Sequence, residues 1–385
     1  MLIYKYILGV MEKNQLKILF ASATDSGILR VRSELIKTLL EQGHSVIVAA
    51  PLVKDYKKLE AMGCTMIPVT IDHHGTNPFS DLKLYKQYKK LLGSVKPDVV
   101  LLFTTKPNIY CGIACKKLGF PAVMNITGMG SALGNKGLLQ KVMVKLYKCS
   151  CNGQNLKRVF FQNDASKEFF EKHKIGDSSL FVRIPGSGVN LDTYPLLPFP
   201  EGSTVDFLFV ARIMKQKGID NYIEAAKIIR KDHPEVRFHV LGEAKESYKS
   251  ILDEAASSGD IVYHGRVDNI PDYQRMSQCT VQPSYYPEGM SNVILEAAAS
   301  GRPVITTDHP GCREGVDDGI TGFIVPVNDT DALVKAIERF LAMSMTEREE
   351  MGRHGRMKME KEFSRIYVTS AYMDILMDIS DNGKD

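Results

Sequence analysis

The sequence predicts an α/β fold: two doubly wound domains in succession, each a parallel sheet with helices on both faces, set across a cleft. Short β-branched runs alternate with amphipathic helical stretches through the first half of the chain. A segment with neither period interrupts them near residue 190, and the same alternation then restarts. Continuous apolar strands separated by helices are the mark of parallel sheets buried on both sides. A length of 385 residues also exceeds what one hydrophobic core serves.

In the first half, strands are expected at KILFA (17–21), SVIVAA (45–50), TMIPVTI (65–71), DVVLLF (98–103), PAVMNIT (121–127) and RVFFQ (158–162). The helix after the first strand sets Leu35, Leu39 and Leu40 on one face, and the next runs through Leu59. Between Ile184 and Val205, PGSGVNLDTYPLLPFPEGST holds four prolines and three glycines in twenty residues, which reads as a hinge. Strands resume at DFLFVA (206–211), RFHVLG (237–242), IVYHG (261–265), TVQPS (280–284), PVITT (303–307) and GFIVP (322–326). The chain closes in helices, the last near residues 366–380. The expected division is a Rossmann-like domain over 1–190, a second over 191–365, and a terminal helix within 366–385. Ligands of such folds bind beyond the carboxyl ends of the strands, here toward the cleft between the domains.

Hydrophobic residues at 44% and charged residues at 24%, without a low-complexity run, place the chain among ordinary globular proteins. No apolar run reaches the roughly 18 residues that span a bilayer. The opening MLIYKYILGVM is broken by Lys5 and lacks a small-residue cleavage site. It reads as an extension before the first strand, with Met11 as an alternative start. Seven cysteines form no disulfide framework and fit a reducing compartment. Cys111/Cys115 and Cys149/Cys151 are close by spacing only, and read as small hydrophobes rather than zinc ligands.

The net charge of +4 conceals an asymmetry. Residues 1–195 carry 27 Lys and Arg against 14 Asp and Glu, whereas residues 196–385 carry 22 against 31. Such a division suggests that one half faces a polyanion. Lys141, Lys145 and Lys148 fall at helical spacing beside a face of Leu138, Val142 and Leu146, and Lys83, Lys86 and Lys90 repeat the stripe. These read either as solvated faces or as contacts with an anionic lipid surface. No nucleic-acid motif accompanies the charge, so nucleic acid is not an expected partner.

Chemistry concentrates in PEGMSNVILEAAASGRPVITT (287–307), where Glu288 and Glu296 stand eight apart. The preceding TVQPS is a strand, SYYPEGM the loop beyond its carboxyl end, and NVILEAAAS a helix. A helix starting near Ser291 aims its free N–H groups at the cleft, which suits a phosphate, and Gly289 allows close approach. Met290 and Asn292 flank that start. Glu288 ahead of the phosphate and Glu296 beyond it can each accept hydrogen bonds from hydroxyls. A nucleotide diphosphate sugar has that layout. Taken alone, the pair reads equally as an acidic residue near a helix start plus a surface glutamate. ARIMKQKG (211–218) adds Arg212 and Lys217 in a loop after the first strand of the second half. Two cations there would neutralise a diphosphate leaving group.

ARIMKQKG and PSYYPEGMSNVILEAAASGRPVITTDHPGCREGVDDGITGFIVP resemble the signature of retaining glycosyltransferases of the GT-B fold in family 4, with its paired E-x7-E. NPFSDLKL (77–84), KPDVV (96–100), TTKPNIYCG (104–112), NITGMGS (125–131), FFQN (160–163) and IPGSGVN (184–190) are similar to a subgroup acting on undecaprenyl-diphosphate-linked sugars. The resemblance implies that Arg212 and Lys217 grip the donor diphosphate, Glu296 holds the ribose and Glu288 the transferred sugar. It implies a first domain that binds the acceptor, a second that binds the donor, and a last helix crossing back to the first. The expected substrates are a UDP-sugar and a lipid-diphosphate-linked saccharide. The expected place is the cytoplasmic face of the cell membrane, with no metal and no cofactor beyond the donor. A GT-B UDP-sugar 2-epimerase and a two-domain oxidoreductase are the alternatives, the second lacking a G-x-G-x-x-G.

The chain departs from the family pattern in two places. SATDSGILRVR offers only Gly27 where many members have a Gly-Gly pair, and FTTKPN offers Lys106 where many have a histidine. Gly27, Lys106 and Gly128 are the acceptor-side candidates. No catalytic base is identified, which fits a front-face reaction in which the leaving phosphate takes the proton. NDTD (328–331) precedes a helix and reads as its cap rather than a metal motif. His73 and His74 read as a solvated loop pair.

Overall fold

The computed structural model of the chain describes residues 15–72, 77–134, 137–202 and 204–382. The opening segment with Met11 and the His73–His74 pair lie outside the described residues. The first sheet holds β1 (Lys17–Ala21), β2 (Ser45–Ala50), β3 (Thr65–Pro68), β4 (Val99–Phe103), β5 (Ala122–Ile126), β6 (Leu156–Phe161) and β7 (Phe181–Arg183). The second holds β8 (Asp206–Val210), β9 (Arg237–Leu241), β10 (Val262–Tyr263), β11 (Cys279–Gln282), β12 (Val304–Thr307) and β13 (Gly322–Val325). Their orders are β3-β2-β1-β4-β5-β6-β7 and β10-β9-β8-β11-β12-β13, parallel throughout. Two Rossmann-like sheets across a cleft make the GT-B architecture. The edge strand β7 was not anticipated, because three residues of FVR carry no readable period.

Alternation along the strands divides the first core in two. Leu19, Ala49, Val100 and Met124 point to one face, against Leu84, Tyr88 and Tyr147. Those three come from α2 (Pro78–Val95) and α3 (Leu138–Cys151). Ile18, Phe20, Val48 and Leu101 point to the other, against α1 (Asp25–Glu41) with Ile28, Leu35 and Leu39. Both faces are covered, which is why the strands read as unbroken apolar runs. Thr24 starts α1 by accepting from the Gly27 N–H at 3.0 Å, and Asn77 starts α2 by accepting from the Phe79 N–H at 2.9 Å, with Pro78 in the first turn.

In the second domain, α4 (Asn292–Ala299) follows β11. The last helix, α5 (Arg365–Asn382), crosses back to the first domain. It buries Val368, Tyr372, Ile375 and Leu376 in the core beside α1. The Tyr372 ring meets Phe160 edge-on at 4.8 Å and its hydroxyl accepts from Asn125 Nδ2 at 2.7 Å. Among its described residues the segment between Arg183 and Asp206 has neither helix nor strand, yet it is tied down. Buried Arg302 donates to the Leu197 and Pro198 carbonyls at 3.3 and 2.7 Å, and Arg356 donates to that of Tyr194 at 2.9 Å. Val189 and the start of α5 bridge each other, Val189 N to Phe363 O at 2.8 Å and Arg365 N to Val189 O at 3.0 Å. The two passages of the chain between domains therefore run side by side.

Replacing Tyr372 with alanine removes the ring that docks α5. The expected loss is roughly 3–5 kcal/mol of stability, measured by urea unfolding followed by circular dichroism. An unchanged midpoint would mean that the terminal helix contributes nothing to the first domain.

Candidate active site

The topology brings two loops to one place. In the second sheet the strand order reverses between β8 and β11, and the loops leaving these neighbours open into the cleft. The first, 211–218, is tethered to the end of β9 by Ala211 N to Leu241 O and Ile213 N to Glu243 O, both 3.0 Å. It closes in a 3-10 turn, Lys215–Lys217, ended by Gly218 at φ 78°. A Cβ on Gly218 would stand 2.1 Å from the Pro283 carbonyl oxygen, so only glycine lets the two loops touch.

That contact sets Lys217 Nζ 2.8 Å from Glu288 Oε2, with both side chains largely buried. The Arg212 guanidinium and the Lys217 ammonium lie over the Tyr286 ring at 5.7 and 5.0 Å. Ser291 caps α4 by position, but its side chain makes no capping bond, leaving the first turn of the helix open toward the cleft. Glu296 sits on α4 at 4% exposure, and its Oε1 accepts from Arg30 Nη2 at 2.7 Å across the cleft. The Glu296 charge holds the Arg30 guanidinium above its ordinary value. Burial, and then the Glu296 charge, push the ionisation of neighbouring Tyr194 up.

The cleft measures about 450 Å³, a size common for small-molecule sites. Arg212, Lys217, Glu288, Met290, Ser291 and Asn292 line it, and Arg30 closes it from the first domain. Among the described residues, Glu288 Oε1, Asn292 Oδ1 and Glu296 Oε2 are buried and have no hydrogen-bond partner. Unpaired buried acceptors are costly and are satisfied by a ligand that brings donors.

Other residues singled out in the sequence take different places. Gly289 lends its N–H to the Thr127 carbonyl of the first domain at 2.9 Å. Gly128, at φ 123°, lies against it: a Cβ there would come within 2.5 Å of the Gly289 nitrogen. Gly130 N donates to Pro287 O at 3.0 Å, and Asn163 Nδ2 donates to the Gly289 carbonyl at 2.7 Å. Gly128 thus packs on the loop of the two glutamates. Lys106 forms an ion pair with Asp81 at 2.7 Å, and Tyr110 donates to the same carboxylate at 2.7 Å. Gly27 lies in the first turn of α1. Neither Gly27 nor Lys106 lines this cleft. Asp329 of NDTD accepts from the Ala332 N–H at 2.8 Å as the cap of the next helix. Arg30 was not anticipated. Its one sequence signal is its place, a turn beyond Gly27 in the helix that follows the first strand.

Two family models match the chain, Glycosyl transferase 4-like over residues 17–163 and Glycosyl transferases group 1 over residues 199–358. Among curated relatives, N,N'-diacetylbacillosaminyl-diphospho-undecaprenol alpha-1,3-N-acetylgalactosaminyltransferase of Campylobacter jejuni is 25% identical, over 85% of this chain and 89% of its own. UDP-Gal:alpha-D-GlcNAc-diphosphoundecaprenol alpha-1,3-galactosyltransferase of Escherichia coli is 26% identical, over 67% of this chain and 70% of its own. The fold is similar to that of Anabaena HepE, solved in complex with UDP and glucose, with a TM-score of 0.77 at 18% identity, covering 94% of this chain and 100% of that one. With one glycosyl transferase model on each domain, in order, the chain is a glycosyltransferase of the GT-B, family-4-like superfamily.

Proposed function

We propose that this protein transfers a hexose or N-acetylhexosamine from a UDP-sugar to a lipid-diphosphate-linked saccharide, with retention at the anomeric carbon, in assembly of a bacterial surface polysaccharide or glycoprotein glycan. One observation carries the reading. Arg212, Lys217, Glu288 and an open helix start line one cleft, and Glu288 and Glu296 each keep a buried carboxylate oxygen without a partner among the described residues. Diphosphate oxygens accept from Arg212, Lys217 and the first N–H groups of α4. The Glu288 carboxylate accepts from hydroxyls of the transferred sugar, and Glu296 from the ribose diol. The bond from the anomeric carbon to the leaving phosphate breaks as the acceptor oxygen arrives on the same face. The acceptor proton passes to that phosphate oxygen, whose growing charge Arg212 and Lys217 stabilise. The names of the Campylobacter and Escherichia relatives, both acting on diphospho-undecaprenol-linked sugars, support the acceptor class.

The first domain's surface supports work at a membrane. On α3, Leu138 is 80% exposed, with Leu139 and Val142 also exposed, beside exposed Lys141 and Lys145. On α2, Phe79 is 82% exposed, near exposed Lys83, Lys86 and Lys90. Each helix thus exposes apolar and basic side chains together. Lys148 is half-buried and adds less to the stripe than its spacing implied. Among the described residues no helix is long and apolar enough to cross a membrane. The reading is therefore peripheral attachment to the cytoplasmic leaflet.

Incubation with a panel of UDP-sugars and a membrane lipid extract, read by mass spectrometry, should yield a lipid-linked product one sugar heavier. Isomerised UDP-sugar without a lipid product would favour the epimerase instead. Arg212→Ala and Lys217→Ala should each lower turnover roughly a hundredfold, and near-normal turnover in either removes that residue from the mechanism. Co-sedimentation with phosphatidylglycerol vesicles should weaken as salt rises, since screening acts over about 8 Å at physiological ionic strength. Replacing Lys141 and Lys145 with glutamate should weaken it further and spare transfer to a detergent-solubilised acceptor. Sedimentation indifferent to lipid charge would leave these helices as solvated faces.

A further inference from the structure

Glu296 is paired with a cation that reaches it from the opposite domain. Its carboxylate lies on α4 in the second domain, almost fully buried, with Oε1 paired to Arg30 and Oε2 unpartnered among the described residues. A buried carboxylate without a cation would be strongly disfavoured, so the pairing decides the direction in which this one points. Arg30 itself is half-exposed, and it is held from behind. Arg365, at the start of α5, donates to the Arg30 carbonyl at 3.2 Å and to both Glu34 oxygens at 2.9 Å. Asn190 of the linker bonds the same Glu34, and the Arg365 guanidinium also reaches the Gly188 carbonyl at 3.2 Å. The turn of α1 that presents Arg30 is thereby fastened to both passages of the chain between the domains.

We infer that Arg30 is a positioning residue for nucleotide recognition: reaching from the acceptor-side domain, it orients the Glu296 carboxylate so that the free oxygen meets the ribose diol. This rests on the reading that Glu296 takes the ribose. It adds that the preference for ribose is set by a side chain of the opposite domain. The donor pocket is complete only when α1 and α4 face each other as they do here, which links donor recognition to the domain setting.

The test uses the full-length protein and calorimetric titration with UDP and with 2′-deoxy-UDP. The wild type should prefer UDP by roughly tenfold or more, as expected for a hydrogen bond to a charged group. Arg30→Ala should reduce that preference to within about threefold, and Arg30→Lys should restore part of it, with unchanged thermal melting in both. Thermal melting separates this effect from unfolding, and Arg30→Lys serves should the alanine variant fold poorly. If Arg30→Ala weakens UDP and 2′-deoxy-UDP equally, or keeps the wild-type preference, the positioning role is overturned while the ribose assignment stands. If the wild type itself does not distinguish the two nucleotides, the ribose assignment fails, and the inference with it.

Discussion

The site depends on a backbone contact between domains at which no side chain can intervene. Gly289, next to Glu288, donates its N–H to Thr127, and Gly128 turns away in a conformation that disfavours any other residue. Asn163 and Gly130 hold the same loop from either side. The loop belongs to the second domain by sequence, yet the first domain fixes where its carboxylate points. A relative shift of the domains would therefore move Glu288 against Lys217, and positional errors of this scale are costly in catalysis.

Within that grip the charges alternate. Lys217 and Arg30 each hold one oxygen of a glutamate and leave its second oxygen open, and Arg212 stands beside the same cleft over Tyr286. Two paired carboxylates bracket a helix start that is open to anions. Pairing keeps the buried charges tolerable, and the oxygens left over can only accept.

Away from the cleft, the parts that look mobile in the sequence are fastened. The proline-rich linker is held by Arg302, whose guanidinium spans several main-chain carbonyls, and by Arg356. The return of α5 onto the first domain places Tyr372 among Phe160, Phe103 and Asn125. Together these ties hold the linker and the last helix against each other where the chain passes between the domains.

Strands, helices and their division into two halves were legible in the sequence because each is a local property. Ile18–Ala21 or Phe207–Val210 must be apolar throughout when both faces of a sheet are covered, and Thr24 or Asp329 must cap where a helix begins. The cluster of Arg212, Lys217, Glu288 and Asn292 was legible for the same reason, since adjacent parallel strands send their loops to one edge. Arg30 was not, because its partner lies 266 positions away and no period in α1 marks it. Nor was the place of Gly128 on the Glu288 loop, the ion pair that engages Lys106, or the burial of Arg302, a residue type that composition assigns to the surface. The chain alone determined which segments bring Arg212, Lys217, Glu288 and Asn292 to one edge of the second sheet. How the two domains face each other, and so which side chain completes each carboxylate, was decided by tertiary packing, because a charge is satisfied by whatever stands within 3 Å of it and not by its neighbours in sequence.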